Sequence, residues 1–263
     1  MALPTPENKE KTVQAMFASI ARRYDLNNSL LSFGLHHRWK RIAVDLAGAG
    51  PGERVLDLCA GFGALAISIL KSYPKAKAIC IDGSEAMTKL GRERTAGFAE
   101  RIEFAQASLD TADWLKWTTG TYHAVVSAQA LMRFMTSARR KSLYKEIFNI
   151  VTPGGCFINV DDMCAPSSAL HKRYNAALNQ WLEGYIQEGS GDTPQFVKYK
   201  DDSPVNYTKP IKDGFLDQEL SSLREAGFED VDCFWKFGTM TVYGGFRPEK
   251  PGFISSFARL FKS

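Results

Sequence analysis

The sequence predicts an α/β domain in which a mostly parallel, seven-stranded sheet carries helices on both faces and ends in a C-terminal antiparallel hairpin. Three observations support this prediction. Five short apolar runs alternate with segments of helical periodicity between residues 53 and 162. Two further apolar runs near the C-terminus are joined by a connection short enough for a hairpin. A glycine-rich turn follows the first run, where open α/β sheets bind their ligands.

The N-terminal residues 1–48 are predicted to form a helical lid segment, followed by the main domain over residues 49–263. Apolar side chains recur at three- and four-residue spacing over residues 7–24, and a second helix is expected at about 35–48. The basic run "HHRWKR" at its start could face phosphates or solvent, and its charge pattern favours a solvated helix face.

The main domain is predicted from an alternation of strands and helices. The strands are "RVLDLCA", "AKAICID", "RIEFAQA", "HAVVSAQ" and "CFINVDD", with helices at 62–72, 84–95 and 137–151. We expect "TPGG", residues 152–155, to end the last of these helices and turn the chain into its strand. A helix at 216–226 and the strands "VDCFWKF" and "TMTVYGG" complete the domain.

Residues 163–215 depart from this alternation and are predicted to be a helical insertion on the substrate side of the sheet. The helix that begins it carries an apolar stripe, which is more typical of core packing than of a ligand site. A polar, turn-rich stretch follows the helix.

Composition excludes several classes of protein. The chain has 263 residues, 44% of them hydrophobic, and contains no apolar run of the roughly 18 residues that a membrane-spanning helix needs. No apolar signal segment is found near the N-terminus, so we expect a cytoplasmic protein. A net charge of +4 argues against nucleic acid as a partner. The five cysteines and four histidines show no metal-ligand spacing, so no metal is expected.

The first strand leads into a candidate nucleoside site. "VLDLCAGFGALAI" places Asp57, Gly61 and Gly63 at its carboxyl end, but lacks the third glycine of a dinucleotide fingerprint. Asp82 ends the second strand 21 residues after Gly61, a distance suited to binding both ribose hydroxyls. Asp57 would then hold the cationic amino group of an amino-acid tail. The alternative role for Asp82 is a helix N-cap, for which Ser84 also qualifies.

These features resemble the class I S-adenosylmethionine (SAM) methyltransferases, over residues 53–162 and the terminal hairpin. The resemblance implies a Rossmann-like fold and SAM as the cofactor. Ser108 stands where that superfamily usually has an acidic residue for adenine, so either Asp110 replaces it or Ser108 and the backbone serve. The full set of expected cofactor-binding residues is Asp57, Gly61, Gly63, Asp82, Gly83, Met87, Ser108, Leu109 and Gln129.

The segment "MFASIARRYDLNNSLLSFGLHHRWKR" resembles the N-terminal signature of the ubiquinone/menaquinone C-methyltransferase family. The signature positions are Tyr24, Asp25, Asn28, Ser32, Gly34 and Trp39. This resemblance implies methylation at a ring carbon of a quinol, with the segment covering the cofactor. Tyr24, Asn28 and Arg133 are the expected substrate-binding residues.

The expected catalytic residues follow from the acidity of the acceptor. A phenol titrates near pH 10, so the enzyme needs a group that helps to remove its proton. His36, His37 and Asp161 are the candidates, with Tyr24 beside them at the mouth of the pocket.

Two departures from the family keep other acceptors open. Arg133 lacks the asparagine that the family carries after the fourth strand, and the C-terminal third differs from the family pattern. The alternatives are O-, N- or C-methylation of another soluble small molecule, or a SAM-binding subunit without activity in an enzyme assembly. The amphipathic tail, residues 252–263, could contact a membrane surface or dock on the domain or on a second subunit of a homodimer; its short length favours docking.

Overall fold

A computed structural model describes residues 35–50, 52–187 and 213–249 of the chain. Several sequence-based predictions therefore lie outside the described residues. They are the helix at 7–24 with Tyr24 and Asn28, the polar part of the insertion at 188–212, and the tail at 252–263.

Seven strands of the described residues form one sheet, in the spatial order β3-β2-β1-β4-β5-β7-β6. β3, β2, β1, β4 and β5 are parallel, whereas β7 runs antiparallel to both β5 and β6. The mostly parallel sheet with an antiparallel C-terminal hairpin is thus confirmed. The strands are β1 (Arg54–Leu58), β2 (Lys77–Asp82), β3 (Ile102–Gln106), β4 (Tyr122–Ala128), β5 (Val151–Asp162), β6 (Glu229–Phe237) and β7 (Met240–Phe246).

The helices flank the sheet at the positions that their periodicity predicts. They are α1 (Leu35–Ala47), α2 (Ala64–Ser72), α3 (Glu85–Arg94), α4 (Leu131–Phe134), α5 (Ser137–Ile150), α6 (Ser168–Gln187) and α7 (Leu216–Ala226), with 3₁₀ turns at Ala96–Phe98 and Ala112–Trp117. The four-residue α4 was not predicted, because a single turn is too short to show an apolar period.

Both faces of the sheet are buried, which explains why its strands read as nearly continuous apolar runs. On one face Leu56 and Phe157 belong to the core cluster that includes residues of α5 and α7. On the other face Val126 and Ile158 belong to the cluster that includes residues of α1 and α2. α1, the last part of the predicted lid segment, is therefore a packed layer of the domain.

The prediction for "TPGG" was wrong, because residues 152–155 lie inside β5. β5 pairs with β4 through Val151, loses register, and resumes pairing at Cys156. A Cβ on Gly155 would lie 2.3 Å from the carbonyl oxygen of His123, so only glycine allows this approach to β4. The glycines thus serve an irregular part of the strand, where sequence alone indicates a turn.

The described ends of the insertion lie side by side. The backbone N–H of Cys164 donates to the carbonyl of Gly214 at 2.8 Å, and Cys164 forms a parallel bridge with Phe215. α6 begins just after this connection. Within the described ranges, no helix combines the length and apolarity needed to cross a bilayer.

Candidate active site

The strand order reverses between β1 and β4, and ligands of open α/β sheets bind beyond the carboxyl ends of strands at such a point. The turn after β1 is tight, because the N–H of Gly63 donates to the carbonyl of Ala60 at 2.8 Å. Gly61 and Gly63 have φ angles of 57° and 82°, in the left-handed region that favours glycine. The turn therefore presents bare backbone at the N-terminus of α2, which is a favourable position for ligand binding.

Two residues without this freedom also have a left-handed backbone beside the same point. Cys59, with φ 53°, follows β1, and Gln129, with φ 57°, follows β4. Hydrogen bonds to neighbouring strands hold the backbone at both places, since the N–H of Ala60, next to Cys59, donates to the carbonyl of Ile81 and the N–H of Gln129 donates to that of Val160. Strain of this kind clusters at functional sites. Gln129 was among the predicted cofactor residues, whereas Cys59 was missed because its residue type gives no signal of an unusual φ.

Asp82, at the end of β2, joins the turn to the start of α3. Its two carboxylate oxygens accept hydrogen bonds from the N–H groups of Gly61 and Ser84, each at 2.8 Å. Ser84 is the N-cap of α3, because its hydroxyl accepts from the N–H of Met87 at 3.3 Å. Burial raises the pKa of Asp82. A carboxylate has about four acceptor sites, so both oxygens of Asp82 can still accept from ribose hydroxyls.

Asp57 lies in β1 beneath the same turn and is 1% exposed. Its Oδ2 accepts from the N–H of Ala66 at 3.1 Å, which ties β1 to the first turn of α2. Burial, assisted by the negative charge of Asp82, raises the pKa of Asp57 to about 7. Its predicted contact with the amino group of a cofactor tail stays a prediction.

The expected adenine end of the site lies beyond β2 and β3. Met87 is buried under the turn, and its Cε would lie 3.5 Å from a Cβ placed on Gly61. The hydroxyl of Ser108 donates to Asp110 Oδ2 at 2.9 Å. The two alternatives for the adenine contact, Ser108 and Asp110, are thus hydrogen-bonded to each other. Leu109, which stands between these two residues in the sequence, is buried. A Cβ placed on Gly83 would lie 3.8 Å from the carbonyl oxygen of Ala107.

On the other side of the reversal point, carboxylates link the end of β5 to α4, the short helix that follows β4. Asp161 is fully buried, and its oxygens accept from the N–H groups of Met132 and Asp162, both at 3.0 Å. Burial raises its pKa to about 7. Arg133 forms an ion pair with Asp162 at 3.0 Å, and Thr239 Oγ1 donates to the second oxygen of Asp162 at 3.0 Å.

The remaining predicted residues are placed only in part. His37 is exposed on α1, and His36 belongs to the same helix, but its side chain lies outside the described residues. Tyr24 and Asn28 also lie outside them, so the assembly of a catalytic group stays a prediction. Among the residues that the structure describes, no cluster of three or more His, Cys, Asp or Glu side chains could hold a metal ion.

The donor set around the turn fits SAM. Asp82 offers carboxylate oxygens to a ribose beside the tight glycine turn at the N-terminus of α2. The fold is that of the class I SAM-dependent methyltransferases. Similar folds include human N-acetylserotonin methyltransferase in complex with SAM, at 16% identity and TM-score 0.57, covering 94% of this chain and 60% of that one. The SAM-dependent methyltransferase SibL aligns at 19% identity and TM-score 0.51, covering 82% and 57% of the two chains.

The family follows from sequence comparison. The model of the ubiE/COQ5 methyltransferase family matches residues 5–243, and the chain belongs to that family. A relative from Cronobacter sakazakii, named ubiquinone/menaquinone biosynthesis C-methyltransferase UbiE, is 28% identical over 247 residues, which are 92% of each chain. The protein of the same name from Salmonella paratyphi B is 28% identical over 245 residues, again 92% of each chain.

Proposed function

We propose that this enzyme transfers the methyl group of SAM to a ring carbon of a reduced quinone. The observation that carries the proposal is the family match over residues 5–243, with relatives named for ubiquinone and menaquinone biosynthesis aligned over 92% of the chain. The match includes the N-terminal segment that we expect to cover the cofactor.

The chemistry requires the chain to move protons and to exclude water. SAM would supply a methyl group made electrophilic by its sulfonium. Removing the phenol proton of the acceptor raises electron density at the adjacent ring carbon, which would take the methyl group in line as the bond to sulfur breaks and the thioether leaves. The methylated ring carbon then loses its own proton, the ring oxygen takes one up and the ring regains aromaticity, so one proton is released overall.

The burial of Asp161 argues against this residue as the base. The side chain of Asp161 is fully buried, so it is withdrawn from the space where an acceptor could bind. Its two oxygens accept the N–H groups of Met132 and Asp162. His36 and His37, in the N-terminal part of α1, are the candidates for the base that we retain. Asp161 is better suited to holding Met132, and with it the start of α4, in place.

The environment of Arg133 suits an acceptor without net charge. Asp162 offsets the positive charge of the guanidinium, and Thr239 fixes the carboxylate from the β6–β7 turn. A guanidinium paired in this way can still donate a hydrogen bond to a phenol or carbonyl oxygen. It has less attraction for a free carboxylate than an isolated cation has. This balance supports a quinol ring as the group bound beside α4.

Isotope transfer tests the proposal. The full-length enzyme is incubated with methyl-labelled SAM and a panel of reduced demethylquinones with short and long tails, together with soluble phenols and heterocycles. We expect mass spectrometry to find the label on a ring carbon of the quinols. Label on oxygen or nitrogen, or only on the soluble acceptors, would refute the proposal while leaving the SAM site intact.

The tail at residues 252–263 bears on how the enzyme reaches an acceptor that carries a lipid tail. It lies outside the described residues, and both sequence-based interpretations stay predictions. If it contacts membranes, deleting it will reduce liposome association and turnover of long-tailed quinols but spare short-tailed ones. If it docks on protein, deletion will leave liposome association unchanged.

A further inference from the structure

We propose that Lys40 binds the carboxylate of the amino-acid tail of SAM. Lys40 lies half-buried in α1, between the buried Trp39 and the exposed Arg41. Ala43, Val44 and Ala47 follow Lys40 by three, four and seven residues, which places all four on one side of the helix. These three residues are buried. Lys40 therefore lies on the side of α1 that faces the protein.

The direction of α1 places Lys40 near the ligand-binding edge of the sheet. The C-terminal half of α1 lies near the N-terminal ends of the strands. Tyr73 follows α2, which runs back to that end of the sheet, and its hydroxyl donates to the carbonyl of Val44 at 3.3 Å. Cys156 Sγ, in the first half of β5, lies 3.7 Å from the carbonyl oxygen of Leu46. A helix of 13 residues is about 20 Å long, so the N-terminal half of α1 extends toward the C-terminal ends of the parallel strands.

The height of Lys40 along the sheet can be estimated from these contacts. Lys40 precedes Leu46 by six residues, or about 9 Å of helix. A strand covers that distance in two to three residues, roughly, which leads from Cys156 to Ile158. Ile158 pairs with Val126, and Val126 pairs with Asp57. Lys40 thus lies level with Asp57, on the face of the sheet that packs against α1. Helical side chains lean toward the N-terminus of their helix, which carries the ammonium group farther toward the turn.

The charges at this end of the pocket match those of the ligand. The positive charge of Lys40 acts to lower the pKa of Asp57, against the larger effect of burial, so the two groups are close enough to interact. The tail of SAM carries one ammonium and one carboxylate. Asp57 and Lys40 provide one charge of each complementary sign, and charge-assisted hydrogen bonds of this kind are about twice as strong as neutral ones.

Removing the carboxylate from the ligand tests the assignment without using activity. Calorimetry measures the affinities of wild type and Lys40→Ala for SAM and for decarboxylated SAM, which lacks only that carboxylate. We expect Lys40→Ala to weaken SAM binding by about tenfold or more and to change the affinity for decarboxylated SAM by less than about twofold. Lys40→Arg should retain most of the SAM affinity.

Arg41→Ala is the matched control, because the Arg41 side chain is 84% exposed and pairs with Asp45 on the same helix. It should leave both affinities unchanged, and thermal melting will show whether each variant folds. Equal weakening for both ligands would mean that Lys40 only stabilises Asp57 or α1, and an unchanged SAM affinity would also overturn the proposal. Because the readout is cofactor binding, a failure here is distinct from a failure of the quinol proposal.

Discussion

Arg140 and Glu219 form an ion pair that is almost completely withdrawn from solvent. The Nη2 and Oε1 atoms are 2.8 Å apart, and the side chains are 1% and 3% exposed. The second oxygen of Glu219 accepts from the hydroxyl of Tyr144 at 2.5 Å, and that hydroxyl lies 3.0 Å from the hydroxyl of Tyr243. Arg140 also binds Asp213, at the end of the insertion. One polar network therefore joins α5, α7, β7 and the base of the insertion.

Glu219→Gln should destabilise the protein, because it removes the buried carboxylate that pairs with Arg140 and leaves only the partly exposed carboxylate of Asp213 beside the guanidinium. We expect a loss of about 3–5 kcal/mol in the free energy of unfolding, measured by urea denaturation. Glu225→Gln is the control, since Glu225 pairs with Lys141 between the same two helices but is about half exposed. It should cost less than about 1 kcal/mol. Equal losses would show that the buried pair has no special role.

Gly63→Ala should both destabilise the fold and weaken SAM binding. Gly63 has φ 82°, and a Cβ would lie 2.9 Å from Cζ of Phe104. We expect a loss of about 1–3 kcal/mol, seen as a lower melting temperature. Gly97→Ala provides a comparison, because nothing lies within 4 Å of its added Cβ. Combining Gly63→Ala with Phe104→Leu should restore part of the stability by relieving the contact but not the backbone strain. If Gly63→Ala and Gly97→Ala have the same melting temperature, the turn does not need a glycine at position 63.

The sequence predicts the fold here better than the site, for physical reasons. Apolar periodicity reports burial, and both faces of this sheet are buried, so the strands and most helices could be predicted. The irregular pairing at 152–155 could not, because a glycine needed for close approach to His123 looks the same as one needed for a turn. The pairing of Arg140 with Glu219 spans 79 residues. Charged residues of helices are usually solvated, and one sequence gives no signal that these two meet.

Asp82→Ala should reduce the affinity for SAM by about 100-fold or more, because a carboxylate that binds two hydroxyls contributes two charge-assisted hydrogen bonds of about 1.5–3 kcal/mol each. Calorimetry measures the effect. The variant also loses the hydrogen bonds from the N–H groups of Gly61 and Ser84, so a control is needed that lowers stability without removing the carboxylate. Ser84→Ala removes the α3 cap, at a cost of about 1 kcal/mol, but keeps the carboxylate. Unchanged SAM affinity in Asp82→Ala would refute the ribose assignment.

The buried carboxyl of Asp57 should make stability fall as pH rises. Its pKa is raised to about 7 in the folded protein from an ordinary value of 3.8, so the folded state binds its proton more tightly than the unfolded state does. The stability from this proton is fully present below pH 4, roughly, and is lost as pH rises through 7. Asp57→Asn keeps an oxygen for the N–H of Ala66 and should gain stability relative to wild type between pH 5 and 8, approximately, in urea denaturation. If the free energy of unfolding of wild type and of Asp57→Asn changes with pH in the same way, the pKa of Asp57 is not raised in the folded protein.

Arg133→Met should impair use of the acceptor without affecting the cofactor. The variant removes the guanidinium that pairs with Asp162 and leaves the hydrogen bond from Thr239 to Asp162 in place. With a quinol acceptor, we expect kcat/KM to fall about tenfold or more and the affinity for SAM to change by less than about twofold. Thr239→Val, which removes the hydrogen bond from Thr239 to Asp162, should lower kcat/KM by less.

Arg247→Met is the matched control. Arg247 donates to the carbonyls of Phe148 and Val151 near the N-terminal end of β5, at the opposite end of this strand from Asp162. If both arginine variants lower kcat/KM equally, the loss reflects general destabilisation. If only Arg133→Met does so while SAM binding holds, the acceptor lies where β4 and β5 end, and the Arg133–Asp162 pair positions it there.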